Sequence, residues 1–138
     1  MTTPFTMSKR VEYVHTDMSG IVHFTEFFHY MESAEHAYFR SLGLSISMTY
    51  EGRTISWPRV SCSFDFQHPL RFEDEFEVRL TVEKIGNASV TIRADIVRDD
   101  SVLASGTSTC VCCEINPSGE LKSISIPDTI RAELQKTL

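Results

Sequence analysis

No stretch of this chain approaches the ~18 consecutive apolar residues of a membrane-spanning helix, so it is not expected to cross a bilayer that way. Basic clusters are missing as well. Thirteen Lys and Arg face nineteen Asp and Glu, a formal charge of −6. That balance excludes a general binder of nucleic acid or acidic membranes, although a local basic pocket for an anionic ligand stays open. Cysteine is sparse: among Cys62, Cys110, Cys112 and Cys113 no Cys-x-x-Cys pair repeats, and three of them fall on one expected strand. Zinc is therefore not expected, and reduced, half-buried thiols in a cytoplasmic protein are. The opening Met1-Thr2-Thr3-Pro4-Phe5-Thr6 lacks the apolar core of a signal peptide, which agrees with a cytoplasmic location. Repeats, low-complexity tracts and linker-like runs are absent too. At 138 residues and 41% hydrophobic content, one core and a single domain over 1–138 are expected.

What is present begins with an amphipathic helix. Phe24, Phe27, Phe28, Met31, Ala34, Tyr38 and Leu42 recur at helical spacing and predict a buried stripe. Thr25 reads as the N-cap, Glu26 suits the positive end of the dipole, and Gly43 with Leu44 reads as a helix stop. A strand is expected over 6–14 before this helix and a loop to about Thr54 after it. Further strands are expected over 57–69, 76–83, 90–96 and 102–115, with hairpin signals at Gly86-Asn87 and Asp99-Asp100, and a tail helix over about 127–136. The pattern predicts an α+β fold: a five-stranded antiparallel sheet wrapped around one long central helix, burying the stripe. Such a sheet leaves open edges, and pairing them in an oligomer is one way to cover them.

The chemistry concentrates just before that helix, in Tyr13-Val14-His15-Thr16-Asp17-Met18-Ser19-Gly20-Ile21-Val22-His23-Phe24. Asp17 sits in a polar turn a few residues from a helix N-terminus. There, unpaired N–H groups and the macrodipole favour an oxyanion. A carboxylate beside an oxyanion donor suits attack on a carbonyl. Taken alone, Asp-x-x-Gly is also a common turn. His15, His23, His29, His36 and His68 raise a metal reading, and Glu26-x-x-His29 has di-metal spacing, but those sites need several such helices. No metal is expected. Glu32, on the helix, is the alternative carboxylate, and its bland reading is a solvated face.

The run Val11-Glu12-Tyr13-(x)3-Asp17-(x)2-Gly20-Ile21-Val22, then Tyr30-Met31-Glu32 on the helix, resembles the hotdog-fold thioesterases. The 4-hydroxybenzoyl-CoA thioesterase-like family is the nearest match. The resemblance continues through Pro69-Leu70-Arg71-Phe72-Glu73-Asp74-Glu75-Phe76 and covers most of residues 7–116. It implies a hotdog fold and hydrolysis of an acyl-CoA or aroyl-CoA thioester, with no cofactor beyond the CoA carried by the substrate. Asp17 is then catalytic, the Phe24 backbone amide polarises the carbonyl, and the sites lie between chains of a homodimer or homotetramer. Many relatives carry a second acid where this chain has His15. Some place basic residues where it has Gly86-Asn87-Ala88. Arg59, Arg71 and Arg93 are therefore the candidates for CoA phosphates. Two other readings stand beside hydrolysis: a hotdog hydratase or dehydratase using His15 or His23, and a non-catalytic acyl-CoA-binding module.

Overall fold

A computed structural model describes residues 4–138; Met1–Thr3, the start of the stretch read as lacking a leader, lie outside the described residues. The elements in chain order are β1 (Phe5–Arg10), α1 (Phe24–Ser41), β2 (Ser47–Tyr50), β3 (Arg53–Ser56), β4 (Arg59–Phe66) and β5 (Glu75–Ile85). Then follow β6 (Ser89–Arg98), β7 (Ser101–Val111), β8 (Cys113–Ile115), β9 (Leu121–Ser123) and α2 (Asp128–Gln135). An antiparallel five-stranded sheet has the order β1-β5-β6-β7-β4, and α1 packs on β5 and β1. This is the expected α+β arrangement, with additions. A second sheet, β2-β3-β8-β9, and the tail helix α2, which packs on β5, complete the described chain.

The stripe on α1 is buried at Phe27, Met31, Ala34 and Tyr38, against Phe76, Val78, Leu80 and Val82 of β5 and Val90, Ile92, Ala94 and Ile96 of β6. These two strands alternate inward apolar and outward polar residues, as a sheet covered on one face requires. Two corrections matter for the site. Phe24, assigned to the stripe, is 58% exposed. Tyr30, Glu35 and Phe39, absent from the expected stripe, are buried. The N-cap is His23, not Thr25: the His23 ring accepts the Thr25 N–H. At the other end Gly43 has φ +76°, and the Gly43 and Leu44 N–H groups donate to the Arg40 and Phe39 carbonyls, the Schellman stop that the sequence predicts.

Other boundaries moved for local reasons. The strand expected over 6–14 ends at Arg10, because Glu12 caps a short 3₁₀ turn over Tyr13–His15. The strand expected over 102–115 breaks at Cys112, whose N–H turns to the Ala88 carbonyl at 2.7 Å, and its two halves join different sheets. The loop expected to about Thr54 contains the β2–β3 hairpin. One close approach sets the position of β4. A Cβ on Gly106 of β7 would fall within 2.8 Å of the Phe64 ring and closer still to the Ser63 carbonyl, so only glycine lets the two strands meet in this register.

Candidate active site

The loop after the 3₁₀ turn is closed by its own backbone. Asp17 N–H donates to the Ile21 carbonyl at 2.9 Å, and Gly20 N–H donates back to the Asp17 carbonyl at 3.0 Å, with Gly20 at φ +79°. Asp17 Oδ1 accepts the Ser19 N–H at 2.8 Å, an Asx turn that fixes the carboxylate against its own loop. Two further bonds tie this loop to its surroundings: His23 N–H to the His15 carbonyl at 2.9 Å, and Val22 N–H to the Leu70 carbonyl at 2.8 Å. The turn that the sequence offers for Asp17 therefore exists. It is stitched to the start of α1.

Asp17 lines a cleft of about 400 Å³ whose walls are largely apolar. Phe24 and Phe27 come from the first turns of α1, Phe66 from the end of β4, and His68 and Pro69 from the following turn. Phe27 meets Phe66 edge-on at 5.0 Å, and Phe64 stacks behind Phe66 at 5.9 Å. The helix end opens on this cleft. His23 Nδ1 takes the Thr25 N–H at 3.3 Å and lies 2.8 Å from the Thr25 hydroxyl, and its ring sits on Phe24 at 4.8 Å. Glu26 N–H goes to the His23 carbonyl. The Phe24 N–H, by contrast, has no acceptor among the described residues. A half-buried carboxylate and an unpaired amide at the positive end of a helix thus border one aromatic cleft.

The remaining candidates lie elsewhere. Glu32 does not line the cleft; its Oε2 meets Arg59 Nη1 at 3.3 Å. Arg59 also pairs with Glu35, and its Nε donates to the Ser108 hydroxyl at 2.8 Å. Glu35 is 2% exposed, and its Oε2 has no partner. Burial pushes the Glu35 carboxyl above the usual carboxylate range, against the pull of Arg59. Burial likewise raises the neighbouring Cys110 thiol. Arg93 is held by Asp95 at 3.1 Å and Ser105 at 3.3 Å on the sheet face. Arg71 borders a second cleft of about 370 Å³ that shares the His68–Pro69 wall with the first. Arg98, missed in the sequence, lies there too, with Nη1 2.6 Å from Asp74 Oδ2. The signal for it was the hairpin at Gly86-Asn87, whose antiparallel pairing brings the end of β6 back beside the start of β5. His29 pairs with Glu26 at 3.1 Å, and no group of three His, Cys, Asp or Glu that could hold a metal occurs among the described residues.

Comparison with known proteins agrees with this architecture. A protein of Aquifex aeolicus that bears an esterase name is 31% identical over 102 residues, spanning 73% of this chain and 78% of its own length. A 1,4-dihydroxy-2-naphthoyl-CoA hydrolase of Synechococcus is 22% identical over 129 residues, covering 90% of this chain and 85% of that one. The crystal structure of a hypothetical protein from Thermus thermophilus superposes with a TM-score of 0.83 at 26% identity, over 96% of this chain and 98% of that one. The family model for the thioesterase superfamily matches residues 19–105, beginning just after Asp17. The chain belongs to the thioesterase superfamily.

Proposed function

We propose that this thioesterase hydrolyses an aroyl-CoA thioester to the free acid and CoA, with Asp17 and the Phe24 amide as the reacting centre. One observation carries the reading: Asp17 and Phe24, whose N–H has no acceptor among the described residues, line the same aromatic cleft. The thioester carbonyl oxygen accepts the Phe24 N–H. Losing such an oxyanion donor costs about 2.7–4 kcal/mol of transition-state stabilisation. Asp17 supplies the negative charge for attack, either by adding to the carbonyl carbon or by taking a proton from the attacking water. The C–S bond then breaks, and the CoA thiolate leaves and is protonated; on the first route water then opens the acyl-Asp17 anhydride to the free acid and the Asp17 carboxylate. Phe27, Phe66 and Phe24 offer ring faces and edges to a flat acyl group, which favours an aromatic substrate over a flexible chain. The naphthoyl-CoA relative supports that choice of acyl class.

His23 serves as the helix cap in this reading, and Glu32 stays with Arg59. Of the three arginines considered for CoA phosphates, Arg71, with Arg98 beside it, is the one that adjoins the cleft. Arg59 and Arg93 are held by acids. The chain works as a dimer through β4: that strand pairs only with β7, exposes Val60 and Phe66 along its free side, and ends in the cleft. Free thiols, three of them buried, suit a cytoplasmic, reducing environment. The deciding experiment is a panel of aroyl- and alkanoyl-CoA thioesters with thiol release as readout. Release from aroyl substrates in preference to alkanoyl ones is the expected result. Binding without release, or hydration of an enoyl-CoA, overturns the reading.

A further inference from the structure

His15 lies in the loop that carries Asp17, and its ring is not idle. The Glu12 backbone N–H lies 3.1 Å from His15 Nδ1. An amide can only donate, so Nδ1 is an acceptor and carries no proton. The Tyr30 hydroxyl lies 2.9 Å from the same Nδ1 and must therefore be the donor of that bond. The proton of the neutral ring is left on Nε2, 3.6 Å from the Glu12 carboxylate. The same Glu12 carboxylate accepts the His15 N–H across the 3₁₀ turn, so ring and backbone are held together. Tyr30 is 2% exposed in the second turn of α1, and the two rings meet edge-on at 5.2 Å. Burial, with Glu26 and Glu12 adding to it, pushes the Tyr30 phenol well above its ordinary range and keeps it a donor.

The backbone of His15 completes the link, because its carbonyl receives the N–H of His23, the residue before Phe24. One residue thus joins the Asp17 loop to α1 twice, by side chain to its buried face and by main chain to its cap.

We infer that His15, as the Nε2–H tautomer, is a positioning residue that fixes the Asp17 carboxylate relative to the Phe24 amide. The inference rests on the thioesterase reading of Asp17. It asks for a single acceptor in the plane of a ring-sized side chain. A phenylalanine keeps the packing on Tyr30 and lacks the acceptor. An asparagine carries its Oδ1 where histidine has Nδ1.

His15→Phe should lower kcat about tenfold while KM stays within about twofold, since misplacement of reacting groups by less than an ångström acts on the chemical step. His15→Asn should recover most of that loss. In the wild-type protein, ring ¹⁵N shifts should report an Nε2–H tautomer for His15. The amide signals of Asp17 and Ser19 should move in His15→Phe and return in His15→Asn. A His15→Phe enzyme with wild-type kcat, an asparagine variant as impaired as the phenylalanine one, or an Nδ1–H tautomer overturns the assignment. Should His15→Phe not fold, the asparagine variant and the wild-type spectrum decide. Failure of the thioesterase reading has a different signature: no thiol release by the wild-type enzyme, with the tautomer and loop shifts still as described.

Discussion

Helix α1 carries carboxylate chemistry at two places that could hardly differ more. In the loop before its start, Asp17 lines an open cleft, holds one backbone N–H and has no salt-bridge partner among the described residues. Two to three turns on, Glu32 and Glu35 converge on Arg59, and Glu35 is sealed from water with one oxygen unpartnered. By residue type alone the second cluster is the richer one. Pairing and enclosure reverse that ranking. A carboxylate neutralised by a guanidinium is spent on joining helix to sheet, whereas one held only by its own loop is available to react.

Asp17→Asn should break the comparison at its reactive end, with kcat for an aroyl-CoA falling about 10²–10⁴-fold, the usual reach of a positioned acid–base group. Circular dichroism and thermal unfolding should match wild type, because the Asn side chain keeps the acceptor for Ser19. Glu32→Gln in the same assay should retain near wild-type turnover. Equal losses in the two variants would merge the centres.

Arg59→Met strikes the closed end. It leaves Glu35 buried without a counter-charge, and urea unfolding at neutral pH should show a loss of about 3–5 kcal/mol. The sign with pH follows from the raised Glu35 carboxyl. In the unfolded chain this group ionises near its ordinary value of 4.5. Folded, it ionises later, so stability is fullest below that pH and falls as pH rises through the folded value. Removing the cation raises the folded Glu35 value further, so the deficit of Arg59→Met should widen as pH rises through the wild-type folded value. A deficit that narrows instead would mean that Arg59 does not favour the ionised Glu35 carboxyl.

Glu35→Gln should be mild by comparison, within about 1 kcal/mol of wild type at neutral pH, since an amide oxygen can still accept from Arg59. It should also flatten the decline of stability above about pH 4.5. A comparably small effect is expected at the cleft wall. Phe66→Ala should weaken KM for aroyl-CoA by about 0.5–1.5 kcal/mol, the worth of an aromatic pair. Alkanoyl substrates should be affected less. An equal change for both classes would remove the aromatic preference.

The open end was the legible one. Asp17, its turn and the helix behind it lie within a short run, and local rules of caps, turns and 3.6-residue periodicity reach that far. The Gly43 stop was readable for the same reason. The closed end was not. Arg59 and Glu35 are 24 residues apart, and nothing local distinguishes a carboxylate facing the sheet from one facing water. Phe24 misled because helical spacing puts it in phase with the stripe, while its place in the first turn lets the ring swing into the cleft. The second sheet escaped because its strands have only three or four residues, too few to show a period.

Gly106 carries a consequence for how this enzyme can change. Nothing places it in the cleft, yet its missing side chain is what allows β4 to lie close enough for Phe64 and Phe66 to form that wall of the cleft. Substrate scope can drift freely at positions 66 and 68, where side chains point into open space that a new acyl group could reclaim. At 106 no such drift is available, because any side chain would move a whole wall at once. The width of the cleft thus depends on a glycine in β7, a strand that contributes no residue to its lining.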